Sequence, residues 1–155
     1  MTGLNPHDFR DRVIVPTLRA IDLWSPAAER LVFLTAIHES GLRSLLQRGG
    51  GPARGVYQVE PATMTDVTER TQARYPRLWS RAALFIASAP SLVDQLVTNL
   101  AWATVICRLK YYLVPEPLPD AADRAALAAY WGKWYQTDTD PVKIAAFLSD
   151  TINLA

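Results

Sequence analysis

The sequence predicts a mostly α-helical fold with at most a small β element. Three observations carry this. Helix-start signals recur at Ser25-Pro26, Ser91-Leu-Val-Asp94 and Asp140-Pro141. There a hydroxyl or carboxylate caps orphan N–H groups, and Pro suits the first helical position. The run Leu31-Val-Phe-Leu-Thr-Ala-Ile37 reads as a helix buried on nearly every side. Only one short stretch, Gly55 to Val59, is β-prone.

In chain order, His7 to Leu23 reads as a helix carrying Phe9, Val13, Ile14 and Leu18. Pro16 inside it should kink or split it. The central helix follows from Ser25 and stops at Ser40-Gly41, where Gly supplies a left-handed terminating residue. Gly49-Gly50-Gly51-Pro52 marks a loop, flanked by Arg43, Arg48 and Arg54, which read as a solvated basic surface. Pro61 opens a helix to about Arg74, and Arg77 to Ala89 forms another. Ser91 and Asp94 start the longest helix, expected over Leu92 to Leu113. The linker Pro115-Glu-Pro-Leu-Pro119 ends it. Asp120 is expected to cap a helix ending in Tyr130-Trp131-Gly132-Lys133-Trp134-Tyr135, and Asp140-Pro141 starts the last.

The 155 residues are expected to form a single domain, 1–155, long enough to bury roughly two-thirds of its unfolded surface without disulfide or metal staples. The formal net charge of +1 gives no argument for a nucleic-acid partner. Cys107 is the single cysteine, so no intrachain disulfide forms; among Val105, Ile106 and Leu109 it reads as a small buried apolar residue. The polar stretch Met1 to Arg12 lacks the apolar region of a secretory signal. No apolar run approaches the ~20 residues needed to span a bilayer. The expectation is a protein made in the cytoplasm, with no membrane span and no cofactor.

Chemistry points to Glu39. It sits at the C-terminal end of the apolar helix, where the helix dipole opposes a second negative charge and desolvation disfavours the ionised form. A carboxyl still protonated near neutral pH can protonate a leaving oxygen. Two other enzyme motifs fail. His38-Glu39 begins like His-Glu-x-x-His, but the fifth position is Leu42, and with His7 the only other histidine no metal site is expected. Gly49 to Gly55 lacks the Gly-Lys-Ser/Thr ending of a phosphate loop.

Glu39-Ser40, then Gly55-Val56-Tyr57-Gln58, then Pro61-Ala62-Thr63 resembles the lytic transglycosylase branch of the lysozyme superfamily. Asn99 to Leu113 resembles that family's Asn-opened long helix. Ala128-Ala129-Tyr130-Trp131 is similar to its Ala-x-Tyr-Asn segment, with Trp131 standing where the family has Asn. The resemblance covers about residues 31–135, and the wording is closest to small phage peptidoglycan-degrading proteins. It implies a lysozyme-like helical domain that cleaves the β-1,4 bond between N-acetylmuramic acid and N-acetylglucosamine.

On this resemblance Glu39 is the catalytic acid and Ser40 helps orient it. Gln58 and the backbone near Tyr57 line the saccharide groove, and Tyr130 stands near the acid. A single carboxylate suits a lytic transglycosylase. A water-using muramidase, the alternative, needs a second; Glu60 and Asp66 are the candidates, and Glu60 reads first as a cap of the Pro61 helix. The aromatic cluster of Tyr130, Trp131, Trp134 and Tyr135 reads as groove wall or as core. The implied partners are peptidoglycan glycan strands and, for a virion-associated phage product acting on the bacterial wall, other virion proteins. A rival from another class is a non-catalytic structural or wall-binding virion protein on the same scaffold.

Overall fold

Side-chain caps start six of the nine α-helices among the described residues. A computed structural model describes residues 2–154. Helix α1 (Pro6–Phe9) begins under Asn5, whose side chain accepts from the backbone N–H groups of His7 and Asp8. A π-helical turn, Arg10–Ile14, passes into α2 (Val15–Ala20). This turn is the form taken by the kink expected at Pro16. Proline has no N–H for the helical ladder and its ring crowds the carbonyl four residues back; a wider preceding turn relieves both.

Helix α3 (Pro26–Ser40) is capped by Ser25, whose Oγ accepts from the Ala28 N–H at 3.0 Å. Every residue from Leu31 to Ile37 is buried. The helix ends at Gly41, in the left-handed conformation (φ 59°). It packs against the π turn and three later helices, so it is the central helix that the sequence predicts. The segment from Gly41 to Glu60 returns across its end. Its β content is two isolated antiparallel bridges, Leu46 to Arg54 and Arg54 to Val59. The Arg54 guanidinium donates to the carbonyls of Gly51 and Ala53, closing the glycine loop.

Beyond it come α4 (Pro61–Arg74), α5 (Pro76–Ala82), α6 (Leu92–Thr98) and α7 (Leu100–Tyr112). Two expected boundaries change. The helix expected over Arg77 to Ala89 ends in a 3-10 turn, Ala83–Phe85. The buried amide of Gln95 takes both backbone groups of Ala87, which a longer helix would need. The long helix expected over Leu92 to Leu113 breaks at Asn99 (φ −120°, ψ 92°). Asn99 Oδ1 accepts from the Trp102 N–H at 3.0 Å, and its Nδ2 donates to the Phe85 carbonyl at 2.8 Å. A side chain that bonds the backbone this well competes with the helix.

Helix α8 (Arg124–Trp134) is capped by Asp123, not Asp120; the Asp120 carboxylate accepts from Ala122 in the preceding turn. Helix α9 (Pro141–Asp150) starts under Asp140 as expected. Cys107 is fully buried in the core, where burial pushes its thiol far above its ordinary range, so it packs as an apolar residue. Among the described residues no helix is long and apolar enough to cross a membrane.

Gly55 has φ +75°, and a Cβ there would stand 1.9 Å from the Leu96 carbonyl oxygen. Strain and backbone clash act together, so Gly55→Ala is expected to destabilise the fold by ~3 kcal/mol. Urea unfolding measures this.

Candidate active site

Glu39 occupies the penultimate position of α3, at the floor of two adjoining cavities of about 660 and 700 Å³. Glu39, Gln58, Glu60 and Gln136 line both, so the two form one groove with the acid at its middle. Burial pushes the Glu39 carboxyl up to about 7. Two weaker effects oppose it. The Trp131 indole Nε1–H donates to Glu39 Oε1 at 3.0 Å, and the Lys110 ammonium contributes positive charge. An indole nitrogen only donates. Oε1 therefore stays an acceptor, and the proton of the neutral acid belongs on Oε2.

The Trp131 ring is itself braced. It is 1 % exposed and stacks on Phe147 of α9, with centroids 4.8 Å apart. His38 meets it edge-on at 4.6 Å, and His38 Nδ1 lies 2.8 Å from Asp150 Oδ2. Helix α9 thus holds the indole, and the indole holds the acid.

Three residues that the resemblance places at the site bond elsewhere through their side chains. Ser40 is buried. Its Oγ lies 3.0 Å from the Ala36 carbonyl and 2.7 Å from that of Val56, and it accepts from the Leu42 N–H. It fastens the end of α3 to the returning segment, and none of these bonds goes to the Glu39 carboxyl. The Tyr57 ring is fully buried, its hydroxyl 2.9 Å from Thr104 Oγ1, and its carbonyl accepts from the Tyr135 hydroxyl at 2.5 Å. Its side chain is closed off from a sugar. Tyr130 turns away from the acid: its hydroxyl donates to the Glu116 carbonyl at 2.9 Å. It is adjacent to Trp131 on α8, and neighbours on a helix point about 100° apart. The tyrosine that lines the groove beside Glu39 is Tyr135.

Gln58 keeps its place. It is half-buried in the left-handed region (φ 49°), with its Nε2 donating to the Gly55 carbonyl at 2.9 Å. Glu60 holds the N-cap position of α4 but makes no side-chain cap hydrogen bond; its carboxylate is exposed along the groove. Asp66 lines one half of the groove and pairs with Arg70 at 3.3 Å. Arg43 and Arg48 line the other half. Among the groove residues that the sequence did not assign are Lys110 and Gln136. The signal for Lys110 was a lone ammonium inside the apolar helix α7. Among the described residues no cluster of His, Cys, Asp and Glu is arranged to hold a metal ion.

Comparisons with models of known protein families, with curated proteins and with solved structures find no match.

Trp131→Phe keeps a ring against Phe147 and removes the N–H. That N–H favours the ionised acid, so the Glu39 pKa is expected to rise above its value of about 7, as read by a carboxyl-carbon NMR titration. The same burial carries a stability cost. The folded pKa of Glu39 lies above its ordinary value near 4.5, so the folded state binds the proton more tightly. Stability falls as pH rises from about 4.5 through about 7, and above that the cost is complete. Glu39→Gln is therefore expected to be ~2 kcal/mol more stable than wild type near about pH 8.5. Urea unfolding at each pH should show that gain vanish near about pH 4.

Proposed function

We propose that this chain is a peptidoglycan lytic transglycosylase with Glu39 as its single acid and base. The observation that carries the proposal is a carboxyl at the floor of a groove, raised to about 7 by burial and met by a neutral indole donor. A group with that pKa is in good part protonated at neutral pH, and its conjugate base is strong enough to take a proton back.

The steps follow from one carboxyl. Glu39 gives the proton on Oε2 to the glycosidic oxygen between N-acetylmuramic acid and N-acetylglucosamine. The C1–O bond breaks, the N-acetylglucosamine end leaves as an alcohol, and positive charge develops at C1. Glu39, now a carboxylate, accepts the proton of the C6 hydroxyl of the same muramic acid. O6 closes on C1, giving the 1,6-anhydro sugar and restoring the acid. Water is not consumed. Trp131 holds Oε1 throughout, so the same oxygen works in both steps. The likeness of Glu39-Ser40 and Gly55-Val56-Tyr57-Gln58 to the family supports the substrate, as does a groove long enough to lie on both sides of the acid. The phage origin and virion-associated site of action rest on the likeness alone.

A second reading is a water-using muramidase, favoured by the uncapped Glu60 carboxylate in the same groove. There Glu60 would stand in as the second carboxylate.

Purified peptidoglycan digested with this protein is expected to yield anhydro-muramic ends by mass spectrometry. Glu39→Gln is expected to lower the rate by ~100-fold or more, the usual contribution of a general acid. Reducing ends instead, lost in Glu60→Gln, would establish the muramidase. No products from the folded wild type, with sacculi still bound, would leave a structural wall-binding protein.

A further inference from the structure

Another cavity lies away from the groove, beside the first half of α3. It holds about 380 Å³, and Arg10, Trp24, Glu29, Arg30, Phe33 and Leu154 are among its lining residues. Glu29, Arg30 and Phe33 belong to α3, Arg10 to the π turn, and Leu154 to a closing 3-10 turn, Ile152–Leu154. Glu39 stands near the far end of α3, roughly 14 Å of helix rise from Arg30. Neither half of the groove shares a lining residue with this cavity.

Arg30 is the group there that the fold leaves unanswered. Its Nε is buried and has no hydrogen-bond partner. Among the described residues its guanidinium forms no ion pair. A guanidinium is always charged and carries five N–H donors, and a buried donor without an acceptor is costly to the fold. The other two charges of the lining are engaged. Arg10 Nε lies 2.8 Å from Asp11 Oδ1 and 3.8 Å from Glu29 Oε1, and Glu29 Oε2 accepts from the Trp24 indole at 2.8 Å. The Trp24 ring is also held by the Arg19 guanidinium, 4.7 Å from its centroid. It is 38 % exposed, a fixed aromatic wall with surface to spare.

We propose that this cavity is a second binding site, taking a small monocarboxylate with an apolar body, whose carboxylate pairs with the Arg30 guanidinium. A carboxylate meets the guanidinium fork through two parallel hydrogen bonds. One negative charge balances Arg30; a phosphate dianion would set a second against the Glu29 carboxylate. The apolar body packs on Trp24, Phe33 and Leu154. The volume is near the low end for ligand pockets, which fits a molecule with one ring rather than a polymer. A ligand here touches the π turn, α3 and the closing turn together, so its binding stabilises the fold. The site stands apart from Glu39 and does not rest on glycan cleavage.

The test titrates hydrocinnamate, a phenyl ring on a short carboxylate chain, into the wild-type protein. Proton–nitrogen NMR reads the Trp24 indole N–H and the amides of the first half of α3. Saturable shifts there are expected, with a Kd of roughly 1 mM. Hydrocinnamyl alcohol keeps the body without the charge, and acetate keeps the charge without the body. Each is expected to bind at least ~10-fold more weakly. Arg30→Met keeps the apolar stem, removes the guanidinium and should weaken hydrocinnamate ~10-fold or more. If circular dichroism shows that this variant fails to fold, Arg30→Lys, which keeps the charge and loses the fork, makes the same comparison and should bind more weakly than wild type. Absence of saturable shifts overturns the proposal. So does equal binding of the alcohol, or binding undiminished in the Arg30 variants. None of these outcomes bears on peptidoglycan digestion, which is read separately.

Discussion

The hydrogen bond from the Trp131 indole to Glu39 is the interaction on which the groove depends. A carboxyl this well buried needs a partner. A guanidinium would satisfy it and also hold it ionised. The indole supplies one donor and no charge, so the acid is positioned while its pKa stays high. Much of the surrounding structure keeps that ring still: Phe147 stacked on it, His38 edge-on, and Asp150 beside His38.

Around this point the rest of the site divides into fasteners and lining. Ser40 and Tyr57 are fasteners. Their polar atoms are spent on Val56, Thr104 and Tyr135, which locks the returning segment against the end of α3. Gln58, Glu60, Lys110 and Trp134 are lining, with polar or aromatic surface on the groove. Gly55 makes the lock possible, because the backbone there approaches Leu96 more closely than any Cβ allows. A small apolar knot therefore sets the distance between Gln58 and the acid.

Much of this was legible in the sequence. Helix starts were, because a cap and a following Pro act over four residues, as at Ser25 and Asp140. The buried carboxyl was, because a carboxylate closing a wholly apolar helix is a local pattern. The break at Asn99 was half legible: Asn can cap, but only the nearby Phe85 carbonyl makes capping win. Asp120 and Asp123 are both able to cap α8, and packing chose the second. What local pattern does not carry is direction. A motif says that a serine or tyrosine is present, not whether its hydroxyl meets a sugar or a carbonyl. Trp131 reaches Glu39 across 92 positions, and Lys110 meets Tyr135 across 25; only the assembled helices bring such partners together.

The brace from α9 has a consequence in time. Glu39 leaves the ribosome long before Trp131, Phe147 and Asp150, and the pair joining His38 to α9 spans 112 positions. Before those residues arrive, the Glu39 side chain is hydrated and its acidity is that of any surface glutamate. The raised proton affinity comes from burial among the assembled helices, so it is a property of the folded chain and not of the sequence around Glu39.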